Sequence, residues 1–335
     1  MSPISTLPRR SLAGLLLAAA ATAPAQVHAQ AQADPLPSWR DGEARRAILD
    51  FLRAVTTEGG REYRPPEERL AVFDNDGTLW VEQPIYTQVV FAFDRLRAMA
   101  PQHPDWASRE PFRAAISGDK AALAAAGEKA IVEIIAATHT GMTPEAFRQT
   151  ALDWLATARH PRFDRPYTEC IYQPMLEVMR LFRAQGFRTC IVSGGTTEFM
   201  RPWAERVYGV PPGQVVGTTF KLRYELQRNR GELLTLPEID AVDDGPGKPV
   251  GISRFIGQRP LAAFGNSDGD YEMLQYTTTG DGRRLGMIVH HDDAEREFAY
   301  DRLSPIGRLD RALRDAPAAG WQLISMRQDW GQVLP

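Results

Sequence analysis

Cysteine and lysine are both scarce in this chain of 335 residues. The only cysteines are Cys170 and Cys190, so at most one disulfide is possible. Cys190 falls inside the apolar run Thr189-Cys190-Ile191-Val192, which reads as a buried strand, and both thiols are expected to stay free. Lysine occurs only as Lys120, Lys129, Lys221 and Lys248, and the other positive charges are arginine. Long runs of like charge are missing and the formal net charge is −3, which excludes a basic nucleic-acid binder. Internal repeats are missing too, as are low-complexity tracts beyond the first thirty or so residues. Hydrophobic residues make up 43% of the chain, enough for one domain with a sizeable insert or for two domains.

Long apolar runs are also missing. The stretch Ser11 to Ala23 is uncharged and rich in Leu and Ala, but it is shorter than the roughly 20 residues a bilayer-spanning helix needs. It follows the basic pair Arg9-Arg10 and precedes Val27-His28-Ala29, small residues of the kind a signal peptidase reads. Residues 1–29 are therefore expected to be a signal peptide and the mature protein periplasmic, with no membrane attachment after cleavage. Arg9-Arg10-Ser11-Leu12 also resembles a twin-arginine signal, so the export route stays open.

Beyond the leader, Asp41 to Val55 has the spacing of an amphipathic helix, and Leu70 to Phe73 that of a short buried strand ending in Asp-Asn-Asp-Gly. From Thr87 to about Thr157 the pattern is helical, interrupted near Pro101–Pro104, Gly118 and Gly141–Pro144, which predicts about four helices. Strands and helices then alternate. Helices are expected over Met175–Gln185, Thr197–Val207, Pro249–Ile256, Tyr271–Tyr276 and Ala294–Arg302. Strands are expected over Arg188–Val192, Leu261–Phe264, Leu285–Val289 and Trp321–Met326, with a hairpin around Asn229-Arg230-Gly231. The pattern predicts an α/β fold with a parallel sheet covered by helices on both faces.

In such a sheet ligands gather beyond the carboxyl ends of the strands, and three predicted strands end in polar clusters. Asp74 and Asp76 follow the first, and Gly77 permits a tight turn there. Two carboxyls this close push their pKa values apart, so one can act as an anionic nucleophile and the other as a proton carrier. Ser193 and the Gly194 N–H follow the second strand, a place that suits an anion. Gly265-Asn266-Ser267-Asp268-Gly269-Asp270 follows the third. Of the four lysines, Lys248 alone stands at a helix start between these clusters. His290-His291-Asp292-Asp293 reads as a strand end followed by an Asp cap rather than a metal site, because adjacent histidines point to opposite faces of a strand.

Asp74-Asn75-Asp76-Gly77-Thr78 resembles the first motif of the haloacid dehalogenase-like (HAD) superfamily. The other motifs follow in order as Ile191-Val192-Ser193-Gly194-Gly195, Lys248, and Gly265 to Asp270. The resemblance, on the phosphoserine phosphatase-like branch, implies a Rossmann-like core over residues 34–82 and 168–335, and an inserted all-helical C1 cap over 83–167. It implies an Mg²⁺-dependent phosphatase acting on a small phosphorylated substrate. Asp74 would be phosphorylated, Asp76 would serve as acid and base, and Ser193, Gly194 and Lys248 would bind phosphate. Asp74, Asp76 through its carbonyl, Asn266 and Asp270 would bind the metal. Asn266 departs from the pattern, since the superfamily keeps an aspartate there and an amide brings no negative charge. Asp268 is an alternative source of that charge. Trp80, Gln83, Tyr86 and Phe91 are candidates for substrate contacts from the cap. A dehalogenase is the alternative within enzymes, and Asp76 argues against it, because a halide leaving group needs no proton. A non-catalytic phosphate- or metal-binding protein of the same fold is the alternative from another class.

Overall fold

The structure is a computed structural model that describes residues 34–335; the expected signal peptide lies outside the described residues. The first helix, α1 (Glu43–Thr56), leads to β1 (Leu70–Phe73), whose four side chains are fully buried. Successive strand residues face opposite ways. Ala71 and Phe73 enter one apolar cluster with Ile48, Phe51 and Leu52 of α1, while Leu70 and Val72 enter a second cluster on the other face. Burial on both faces explains why β1 is a continuous apolar run rather than an alternating one.

Four helices follow β1: α2 (Thr87–Met99), α3 (Phe112–Ser117), α4 (Lys120–His139) and α5 (Pro144–Thr157). They fill the segment expected to be helical. Thr143 caps α5 through its hydroxyl and Pro144 occupies the first helical position, as the sequence suggests. Phe91 of α2 and Phe147, Ala151 and Leu155 of α5 join the main core with Phe199 and Trp203. Ala92, Leu96, Trp106, Phe112, Ala115 and Ile134 form a small apolar core of their own.

The chain then runs through α6 (Gln173–Ala184), β2 (Arg188–Thr196) and α7 (Thr197–Tyr208). The ribbon β3 (Val215–Gln227) and β4 (Arg230–Ala241) comes next, followed by the short α8 (Gly247–Gly251), which continues as a wide turn through Ile256. The remaining elements are β5 (Ala262–Gly265), α9 (Tyr271–Thr278), β6 (Leu285–Asp292), β7 (Ala299–Tyr300), α10 (Arg311–Ala319), β8 (Gln322–Ser325) and α11 (Met326–Asp329). The sheet runs β4-β3-β2-β1-β5-β6-β7, with β8 also on β6. Strands β3, β2, β1, β5, β6 and β8 are parallel to their neighbours in that series, and β4 and β7 are antiparallel additions. Phe73 pairs with Ile191 on one side and Phe264 on the other, so the ends of β1, β2 and β5 lie abreast.

Two expectations fail. Ala294–Arg302 is not a helix but a turn followed by β7. Glu297 and Tyr300 are drawn inward to polar partners on other segments, and those contacts override the local helical spacing. Arg311–Ala319 forms a helix where the sequence showed none, with Pro317 inside its last turn. Both cysteines are free and buried, and burial pushes the Cys170 thiol up to about 12 and the Cys190 thiol up to about 11. No helix among the described residues is long and apolar enough to cross a membrane.

Candidate active site

Asp74 leaves the end of β1 and its backbone N–H donates to the Phe264 carbonyl of β5 (2.9 Å). Its carboxylate is thus fixed at the centre of the sheet edge, where it is 5% exposed. Lys248, at the start of α8, reaches back to the same point. Its Nζ donates to Asp74 Oδ1 (2.6 Å), to Asp270 Oδ1 (2.6 Å) and to the Val192 carbonyl within β2 (3.0 Å). One buried ammonium therefore joins β2 to the segments that follow β1 and β5. Burial alone would lower the Lys248 pKa, but the charges of Asp270 and Asp74 outweigh it and the ammonium is held above its ordinary value. For Asp74, burial and the Asp270 charge outweigh the attraction of Lys248 and push the carboxyl well above the usual range. Two carboxylates facing one cation leave an excess of buried negative charge.

Asp270 has both oxygens engaged. Oδ1 takes the lysine, and Oδ2 accepts from the backbone N–H groups of Asn266 (2.9 Å) and Ser267 (3.1 Å). In this geometry it orients Lys248 and shapes its own loop. Asp268 does not face Asp74. Its carboxylate accepts from the backbone N–H groups of Asp310, Arg311 and Ala312, so it caps α10 and is not a source of charge at the site.

Asp76 forms no hydrogen bond with a cation; its Oδ1 accepts from Trp80 Nε1 (2.8 Å). Burial raises its pKa, and the Trp80 hydrogen bond opposes that shift. Its other oxygen faces the irregular last residues of β2, Ser193 to Thr196, within 3.8 Å of where a Cβ on Gly195 would stand. In that segment the buried Ser193 Oγ accepts from the Gly195 N–H (3.2 Å), and the Gly194 carbonyl accepts from Thr218 Oγ1 (2.8 Å). The structure thus brings Asp74, Lys248 and Asp270 into direct contact, and turns Asp76 toward the Ser193–Gly195 segment.

Several neighbours escaped the sequence reading. Glu82, 2% exposed, accepts through Oε1 from Asn266 Nδ2 (2.7 Å) and from the Tyr300 hydroxyl (2.8 Å). Burial raises its pKa well above the usual value, the Tyr300 hydrogen bond opposes this, and the charges of Asp76 and Asp74 add to it. His291 donates through Nε2 to the Gly77 carbonyl (2.8 Å) and lies 3.1 Å from Glu297 through Nδ1. Gln88 on α2 binds Thr196 twice, accepting from its N–H (2.9 Å) and donating to its hydroxyl (2.6 Å). Asp243 is buried beside Lys248 and its carboxyl is pushed up to about 7 by burial, with Lys248 opposing the shift. The available signals were faint: Glu82 is the first charge after the apolar Leu79-Trp80-Val81, and Asp243 the first of an acidic pair before Gly-Pro-Gly-Lys.

The four residues suggested for substrate contact are all taken up within the protein. Trp80 is buried and stacks on Trp203 with ring centroids 4.4 Å apart. Phe91 belongs to the main core. Gln83 donates to Ser304 and to the Ile306 carbonyl, and the Tyr86 hydroxyl accepts from the Gly307 N–H. His290 and His291 do end β6 on opposite faces, His290 lying 3.6 Å from Asp301, but Asp293 caps a turn and not a helix.

The donor set suits a hard divalent cation. The Thr78 hydroxyl beside Asp74 Oδ2 and the Asn266 Oδ1 that shares it are oxygens, the preference of Mg²⁺. Asp74 Oδ2 has only the Thr78 hydroxyl at 3.4 Å, a marginal hydrogen bond, and Asn266 Oδ1 shares that hydroxyl at 3.2 Å. One hydroxyl carries one proton, so one of these two buried oxygens is left under-satisfied. Among the described residues no three His, Cys, Asp or Glu side chains are arranged to hold a metal by themselves.

The sequence matches the family profile of haloacid dehalogenase-like hydrolases over residues 71–275. No curated protein matches the chain. A functionally unknown protein from Anaerococcus prevotii DSM 20548 shares its fold, with a TM-score of 0.50 and 15% identity, over 75% of this chain and 86% of that one. A protein of unknown function from Bordetella pertussis Tohama I aligns at a TM-score of 0.48 and 17% identity, over 77% of this chain and 98% of that one. A phosphoserine phosphohydrolase-like protein from Francisella tularensis subsp. tularensis SCHU S4 aligns at 0.39 and 15%, over 75% and 98%. The profile spans more than half of the chain and takes in the ends of β1, β2 and β5 together with Lys248, and on that match the chain belongs to the haloacid dehalogenase-like hydrolase family.

Proposed function

We propose that this hydrolase cleaves phosphate monoesters through an aspartyl-phosphate on Asp74, with Mg²⁺ as cofactor. The observation that carries the reading is the division of labour between the two carboxyls. Asp74 is bound to the Lys248 ammonium at 2.6 Å, a contact that opposes the upward push of burial and Asp270 on its carboxyl and fixes it at the strand end as the nucleophile. Asp76 forms no hydrogen bond with a cation and faces the Ser193–Gly195 segment, where a leaving oxygen can meet it.

In the first step a carboxylate oxygen of Asp74 attacks phosphorus. The ester P–O bond breaks, and its electron pair leaves with the alkoxide, which takes the proton of Asp76 and departs as the alcohol. In the second step water attacks the same phosphorus and gives its proton to the Asp76 carboxylate. The acyl P–O bond breaks, releasing inorganic phosphate and restoring Asp74 and the protonated Asp76. Lys248, Ser193 and the Gly194 N–H hold the phosphoryl oxygens. Asp74, the Asp76 carbonyl and Asn266 would hold Mg²⁺, which when bound offsets charge on the phosphoryl group. Asp270 supports it by fixing Lys248. Helices α2–α5 serve as the lid, and Gln88 ties that insert to the phosphate loop. Residues 1–29 direct export to the periplasm, which fractionation of cells expressing the full chain would test.

The chemistry is tested by varying the leaving group. Asp76→Asn should slow hydrolysis of an alkyl phosphate by on the order of a hundredfold or more, and that of a nitrophenyl ester much less, because only a poor leaving group needs the proton. Equal slowing of the two esters in the first step, read as single-turnover alcohol release, would refute the role of Asp76 as the acid. Halide release from 2-haloacids, with no phosphate release, would instead identify a dehalogenase.

A further inference from the structure

Glu82 is a buried carboxyl for which the proposed reaction has no use. Its Oε1 accepts two hydrogen bonds, from Asn266 and Tyr300, and no Lys, Arg or His pairs with it among the described residues. Burying a carboxyl without a cation beside it is costly. The surrounding chain nevertheless makes room for it. Gly77 and Gly307 both adopt positive φ, +75° and +63°, and a Cβ on either would overlap the Glu82 carboxylate; at Gly77 it would also overlap the Asn266 amide. Two bare backbone positions, far apart in sequence, converge on this one side chain.

The orientation of Asn266 supplies a reason. An amide has a donor end and an acceptor end, and which end faces the site depends on what binds the other. Glu82 Oε1 accepts from the donor end, Nδ2, at 2.7 Å. Oδ1 is thereby turned to the Thr78 hydroxyl that also approaches Asp74 Oδ2, the two oxygens that share one proton. Groups behind a metal ligand fix its orientation and raise its basicity, and their loss typically weakens binding about 10–100-fold.

We propose that Glu82 is a positioning residue for a divalent cation, holding the Asn266 amide with Oδ1 toward Asp74. The proposal rests on the cation-dependent reading above and concerns how that cation is held. An amide stands in front of the site and a carboxyl behind it.

The test is calorimetric titration of the full chain with MgCl₂, without substrate, for wild type, Glu82→Gln, Asn266→Asp and the double variant, with a thermal melt of each. Glu82→Gln should weaken Mg²⁺ about tenfold or more, since Gln can turn either its donor or its acceptor end toward Asn266. Asn266→Asp alone should lower the melting temperature, because two carboxylates would then abut. The double variant puts a carboxyl at position 266 and should bind Mg²⁺ within about threefold of wild type. That rescue keeps the test decisive even if Glu82→Gln alone does not fold. Wild-type affinity in a folded Glu82→Gln protein overturns the proposal, as does a double variant that binds no better than the single ones. If wild type binds no Mg²⁺, the cation-dependent reading falls and this inference with it. Loss of binding in Glu82→Gln, alongside a wild type that turns over no phosphate ester, would refute the phosphatase reading and leave the inference standing.

Discussion

The two flanks of Asp74 are built on opposite principles. On one side stand Lys248 and Asp270, formal charges in direct contact at 2.6 Å. On the other stand Asn266, Thr78, Glu82 and Tyr300, where a single carboxylate is met only by neutral donors at 2.7–2.8 Å. The first flank can be assembled from strand ends, each announced by an apolar run that stops at a polar cluster. The second depends on contacts between residues 184 to 218 apart in the chain, and it gathers around a position where the family's usual charge is missing. Function is thus written locally on one side and only in three dimensions on the other.

The comparison sharpens first at Lys248. Replacing it with Met leaves Asp74 and Asp270 buried together without a cation. The cost should be about 3–5 kcal/mol of stability, seen as a large fall in melting temperature, together with a loss of turnover on the order of a hundredfold or more. Comparable loss from a change in the neutral flank would break the contrast. His291→Ala removes the donor to the Gly77 carbonyl and leaves Glu297 facing a void, and should cost about 1–3 kcal/mol by denaturant titration.

A smaller effect, of opposite sign, is expected at Asp243. Its folded pKa of about 7 lies above the unfolded value of about 3.9, so the unfolded chain releases that proton first. Stability is therefore lost as pH rises from about 4 through 7. Asp243→Asn should raise the melting temperature by a few degrees, with the gain growing from pH 5 to pH 8. A gain that shrinks over that range would contradict the assigned burial. The smallest effect is a null one: with Cys170 and Cys190 free, a thiol reductant should leave the melting curve unchanged.

What the sequence revealed divides along the same line. Strand β1, the three polar strand ends, the β3–β4 ribbon and the helical insert were all legible, because apolar period, caps and turn residues act over a few positions. Lys248 could be singled out because lysine is so rare here. Ala294–Arg302 misled because its spacing is helical, while Glu297 and Tyr300 are held by Tyr172, His291 and Glu82 from other segments. Helix α10 was missed because Pro317 lies within it and its N-terminal cap, Asp268, comes from a loop some forty residues earlier. Asp268 shows the same limit at the site, since its sequence position suggested a charge for the cation and its side chain serves a helix instead.

The central claim is that Asp74 carries the phosphoryl group. Acid quenching of the enzyme during turnover of a ³²P-labelled monoester with Mg²⁺, followed by proteolysis and peptide mapping, tests it directly. The account predicts label on the peptide containing Asp74, labile to mild base and absent from Asp74→Asn. Phosphate release by the Asp74→Asn protein at the wild-type rate, with no labelled peptide from either protein, would contradict it.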